Sequence, residues 1–111
     1  MQIAVRSGQD VLTAEVEETR LDAAVAIQFK DRMREIVATG PRRVVLDLGR
    51  VGFLDSSGLG AVIAVKKMLD PDRELEIVGL TPPVERVFRL TRMDRVFRIQ
   101  TLADGPEAIG R

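Results

Sequence analysis

Two adjacent hydroxyls, Ser56 and Ser57, stand behind Asp55 and ahead of Gly58, Leu59 and Gly60, and this is where the chain could best take part in chemistry. A serine can attack as a nucleophile, receive a phosphoryl group or cap a helix. Attack needs a base, and the chain has no histidine and no cysteine. That removes Ser-His-Asp and Cys-His catalysis, thiol redox chemistry and the common zinc sites. A nucleophile elbow wants glycine two positions before its serine, where Leu54 and Asp55 stand instead. Lys66 and Lys67 fall about 14 Å or more along a helix axis from Ser57, too far for a Ser-Lys pair. A phosphate-cradling loop would end in Gly-Lys-Ser or Gly-Lys-Thr, and no such run occurs. The serines are therefore read as groups that are acted upon or that belong to a binding surface. The expectation is a protein with no catalysis of its own, no cofactor and no metal.

The neighbours of the serines carry two readings. Asp55 or Ser56 is suited to cap the helix that follows, which would engage Ser56 with backbone and leave Ser57 freer. Gly58 and Gly60 each cost about 0.8–1 kcal/mol relative to alanine in a helix, so both need a reason. Either they leave the turn bare for another backbone or a kinase, or they let the helix pack tightly on its own sheet.

The elements that must hold this turn are legible as changes of period. Gln2 to Val5 and Val11 to Val16, separated by Ser7-Gly8-Gln9-Asp10, read as an opening hairpin. Ala26, Phe29, Met33, Ile36 and Val37 recur at steps of three and four, which predicts a helix over residues 23–38 with Asp22 as N-cap and Gly40-Pro41 as stop. Val44 to Leu48 is a short, nearly continuous apolar run, expected as a strand buried on both faces. Phe53-Leu54 leads into the Asp55–Gly60 turn, and Ala61, Val62, Val65, Met68 and Leu69 form the apolar stripe of a helix that Asp70-Pro71-Asp72 ends. Leu75 to Val78 reads as a strand. Thr81-Pro82-Pro83 opens a third helix with a capping threonine and Val84, Val87, Phe88 and Leu90 inward. Val96, Phe97 and Ile99 suggest a last strand, and Asp104 to Ile109 a terminal helical turn.

The order ββαβαβαβα predicts one α/β domain over residues 1–111, with a mixed, mainly parallel sheet of about four to five strands. In such folds the turn from a strand's carboxyl end into a helix is where ligands and partners meet free backbone N–H groups. Lys and Arg number 17, Asp and Glu 17, and aromatic residues are 4% of the chain. Zero net charge with few stacking platforms argues against nucleic acid. There is no run of 18 apolar residues, and the first twenty residues contain Asp10, Glu15, Glu17 and Glu18 without a long apolar core. A cytoplasmic protein with no membrane contact is expected.

Val44-Val45-Leu46-Asp47-Leu48, then Phe53-Leu54-Asp55-Ser56-Ser57-Gly58-Leu59-Gly60, then Val84-Glu85-Arg86-Val87-Phe88 with Leu90-Thr91 and Arg95-Val96-Phe97, resemble the pattern of bacterial anti-sigma factor antagonists. These are single STAS domains, a domain shared with sulfate transporters. The resemblance implies a partner switch. An anti-sigma factor that is itself a serine kinase binds the unphosphorylated antagonist, phosphorylation ends the binding, and a serine phosphatase resets it. The phosphorylated serine of the family, immediately before glycine, falls on Ser57. The same resemblance places Asp22, Asp55, Ser56, Ser57, Gly58, Leu59 and Gly60 on the partner-binding surface, Leu21-Asp22 matching the family's Leu-Asp before the first helix. An alternative within the class is a non-phosphorylated STAS scaffold or nucleotide-sensing module.

Two positions depart from the pattern. Thr19-Arg20 replaces a usual Gly-Glu, which changes charge beside the expected docking face. Thr91-Arg92 replaces a usual Thr-Gly, which touches local turn geometry. Arg86, Arg89, Arg92, Arg95 and Arg98, spaced by three, are expected on a solvated face and strand edge.

Overall fold

The computed structural model describes residues 1–100; the terminal turn expected at Asp104–Ile109 lies outside them. The hairpin is β1 (Ile3–Ser7) and β2 (Val11–Val16), closed by a bond from the Gly8 N–H to the Val11 carbonyl. It is followed by β3 (Arg20–Leu21), α1 (Ala26–Ile36), β4 (Arg43–Asp47), β5 (Phe53–Leu54), α2 (Ser56–Leu69), β6 (Glu74–Val78) and α3 (Pro82–Leu90). A 3-10 turn (Met93–Arg95) and β7 (Arg98–Gln100) complete the described chain. Five strands form one sheet in the order β1-β2-β4-β6-β7, antiparallel only at β1/β2, and β3 pairs in parallel with β5 as a separate two-residue ladder. The α/β class and the mainly parallel five-stranded sheet are as expected.

Register explains how the core is made. Leu12, Val44 and Leu75 lie abreast, as do Ala14, Leu46, Ile77 and Ile99. All but the edge residue Ile99 are buried, in one cluster with Phe29 and Met33 of α1 and Val62, Val65 and Leu69 of α2. On the other face the row Thr13, Val45, Glu76 and Arg98 has Thr13 and Val45 only half-buried. The strand at Val44–Leu48 is therefore buried on one face rather than both. Its β-branched run concealed the alternation, because Val45 is as apolar as its core-facing neighbours. Glu76, 7% exposed, is matched there by Arg43 at 2.8 Å.

One helix start is displaced from expectation, and another lacks its expected side-chain cap. Helix α1 begins at Ala26, with Val25 at its N-cap and no side-chain cap. Asp22 instead closes the turn before it: its Oδ1 accepts from the Ala24 N–H at 3.1 Å and its carbonyl from Val25 and Ala26. An aspartate satisfied by the backbone two residues on favours a turn over a helix. Thr81 occupies the N-cap position of α3, yet its hydroxyl donates to the Val51 carbonyl at 2.7 Å and ties the helix to the loop before β5. Along α3, Val84 and Phe88 are buried and Val87 half-buried, while Leu90 is 74% exposed, not inward. Six residues past Val84 is about 240° around the axis, which turns Leu90 away from the core. Val96 is exposed too, and Phe97 alone enters the core, edge-on to Phe88 with centroids 5.7 Å apart.

Candidate functional site

Leu54, buried at the end of β5, anchors the backbone so that Asp55 leaves the strand still extended and α2 starts at Ser56. Asp55, not Ser56, is the cap: its Oδ1 accepts from the Gly58 N–H at 2.9 Å. Its second oxygen accepts from the Ala23 N–H at 3.2 Å. One carboxylate thus joins the start of α2 to the turn before α1. The Gly58 N–H above all holds the Asp55 carboxyl below its ordinary value; desolvation opposes it, and the Ala23 and Ser57 N–H groups add smaller contributions in the same direction as Gly58.

The capping leaves both serines exposed, and neither hydroxyl has a hydrogen-bond partner among the described residues. The expectation that Ser56 would be engaged with backbone does not hold, because Asp55 takes the cap alone. The two glycines divide between the two readings. A Cβ at Gly58 would fall on the carbonyl oxygen of Leu21, with the Leu21 carbonyl carbon and Leu54 Cδ1 at 2.8 Å, so Gly58 lets α2 lie directly on the backbone of β3. A Cβ at Gly60 would meet nothing within 4 Å. Gly60 is the bare one. Leu59 is buried in the core cluster, so its side chain holds the turn from below.

Asp22 lies across this junction. Besides closing its own turn, it accepts through Oδ2 from Arg20 Nε at 3.1 Å. The Arg20 guanidinium stacks 4.2 Å from the centroid of Phe53, its register partner in the β3/β5 ladder. Phe53 is 41% exposed, an aromatic ring on the surface with the arginine over its face. The structure therefore brings Asp22, Asp55, Ser56, Ser57, Gly58 and Gly60 to one place and adds Arg20 and Phe53. Of the two, Arg20 was legible as a departure from the family pattern beside this face, and Phe53 only as part of the strand leading into the turn.

No group of three metal-ligating side chains occurs among the described residues, and no described helix is long and apolar enough to cross a membrane. A depression of about 240 Å³ between α3 and β7, lined by Glu85, Phe88, Arg89, Asp94 and Ile99, shares no residue with the serine turn.

The family model of the STAS domain matches residues 2–104. The chain belongs to the STAS domain family. Over 80 residues this STAS domain is 36% identical to a candidate anti-sigma factor antagonist, BtrV, of Bordetella bronchiseptica, covering 71% of this chain and 69% of the relative. It is 26% identical over 80 residues to the anti-sigma-B factor antagonist of Staphylococcus aureus, with 71% and 74% covered. Among solved structures, an anti-sigma factor antagonist from Mycobacterium paratuberculosis superposes with a TM-score of 0.81 at 27% identity, over 99% of this chain and 94% of the other. The STAS fold thus places its serine turn at the amino end of α2, backed by β3 and β5.

Proposed function

We propose that this STAS domain is an anti-sigma factor antagonist, a regulator without catalysis of its own. It binds an anti-sigma factor through the face around the amino end of α2 and is released by phosphorylation of Ser57. The observation that carries the reading is the exposed Ser57 hydroxyl, without a hydrogen-bond partner among the described residues, in the first turn of a helix whose cap is supplied by another residue, next to the open surface at Gly60. The relatives named as anti-sigma factor antagonists support it. The partner is then an anti-sigma factor with serine kinase activity, which transfers the γ-phosphoryl group of ATP to the Ser57 oxygen with release of ADP and a proton, and a serine phosphatase hydrolyses the ester to restore the hydroxyl and release phosphate. The exchange takes place in the cytoplasm, with no nucleic acid or membrane bound directly.

Capture of partners from the native cell by the tagged protein, followed by mass spectrometry, identifies the bound anti-sigma factor and any phosphate. With that partner and ATP, Ser57→Ala abolishes labelling and Ser56→Ala largely keeps it. Labelling that survives Ser57→Ala and disappears with Ser56→Ala overturns the assignment.

A further inference from the structure

Arg20 stands where its own surroundings do not exhaust it. Only Nε–H is bonded among the described residues, to Asp22 Oδ2, and the terminal guanidinium nitrogens rest over Phe53 without a hydrogen-bond acceptor. The side chain is 60% exposed, so water already screens that ion pair and releasing it costs little. Its strand lies against the serine turn without intervening atoms: the Leu21 carbonyl, one residue on from Arg20, occupies the space a side chain at Gly58 would need, and Ser57 is the residue before Gly58. Asp22 and Asp55, the carboxylates of the two turns that meet here, are the competing anions.

We propose that Arg20 is the built-in counter-ion of a phosphate on Ser57. Its pairing with Asp22 is its position in the unmodified protein, and it turns toward the modified serine when that group appears. The inference rests on the reading of Ser57 as the modified residue. A phosphoserine carries about −1.5 to −2 charges and three acceptor oxygens against the single charge of Asp22. A guanidinium offers a forked pair of N–H donors that matches phosphate, which favours the exchange further. Movement of Arg20 would uncover the Phe53 ring and free Asp22 Oδ2, so the modification would alter the face in shape as well as in charge.

The test installs phosphoserine at position 57 during synthesis, so that it does not depend on any kinase, and follows the phosphate by ³¹P NMR titration. An unpaired phosphoserine has its second ionisation near about pH 6. The expected result is a midpoint at least half a pH unit lower in the otherwise wild-type protein, returned toward about 6 by Arg20→Gln and partly kept by Arg20→Lys. The ¹⁵N resonance of Ala24, whose N–H is held by Asp22, shifts on phosphorylation only when Arg20 is present. Equal midpoints in the wild-type and Arg20→Gln proteins, both folded by circular dichroism, overturn the proposal. That outcome leaves the choice of Ser57 standing, since kinase labelling decides it separately.

Discussion

Gly58 and Gly60 differ by two positions in sequence and by everything in surroundings. An alanine at 58 must push the Leu21 backbone away from α2, and backbone yields far less readily than a side chain. Gly58→Ala is expected to destabilise by about 2–3 kcal/mol or more, read from the urea midpoint. Gly60→Ala meets open space and gains helix propensity, so it stabilises by about 0.5–1 kcal/mol while adding a methyl to the proposed docking face. Asp55 gives a pH signature. Its folded-state ionisation lies below the unfolded one, so its contribution is complete above the unfolded value of about 3.9 and disappears as pH falls through the folded value. Asp55→Asn should lower the urea midpoint at pH 6, by a margin that shrinks as the pH is taken below the unfolded value. A gap between the two proteins that is unchanged over that range would mean that the Gly58 and Ala23 contacts do not depend on the charge.

At the scale of elements, Arg92 is the clearest strained joint. It has φ +62° at the start of the 3-10 turn, the left-handed region that costs a side-chain-bearing residue about 1–2 kcal/mol. Arg92→Gly removes that cost and loses part of the gain to chain entropy, for a net stabilisation of about 0.5–1 kcal/mol in thermal or urea unfolding. Replacement of the family's usual glycine therefore strains the turn without removing it. The long elements were legible because their patterns run through several repeats: Ala26 to Ile36, Ala61 to Leu69 and Val11 to Val16 each repeat often enough to be recognised. The β3/β5 ladder was not, since two residues per strand hold no period, and its pairing is fixed by Gly58 admitting the Leu21 backbone. The helix start at Asp22 was misplaced and the side-chain cap at Thr81 is not formed, for a common reason. Both side chains have the right chemistry for a cap and spend it on a competing contact, Asp22 within its own turn and Thr81 on Val51. The serine turn itself was legible in composition, but the Arg20–Phe53 stack required the fold, because the two residues lie far apart in sequence.

For the whole molecule the question is whether a phosphate at Ser57 acts on the fold or on the partner. The amino end of α2 favours an anion through its dipole and free N–H groups, while Asp55 opposes it from the cap position. These effects are similar in size, and the exposed Ser57 hydroxyl takes a phosphate without displacing the buried Leu54 and Leu59, so the fold should survive with little change in melting temperature. A docked partner would instead have to bury a group of nearly two negative charges beside Asp55 and Asp22, with Arg20 able to neutralise only one of them. Burial of the residual charge costs at least several kcal/mol before relaxation, and the affinity should fall by about a hundredfold or more. The most direct test is the dissociation constant of the captured anti-sigma factor for this protein with and without phosphate on Ser57, measured alongside the melting temperature of each form. The expected result is a loss of about two orders of magnitude or more in affinity with melting temperatures within a few degrees; equal affinities, or a phosphorylated form that is unfolded, would rule out release at the interface.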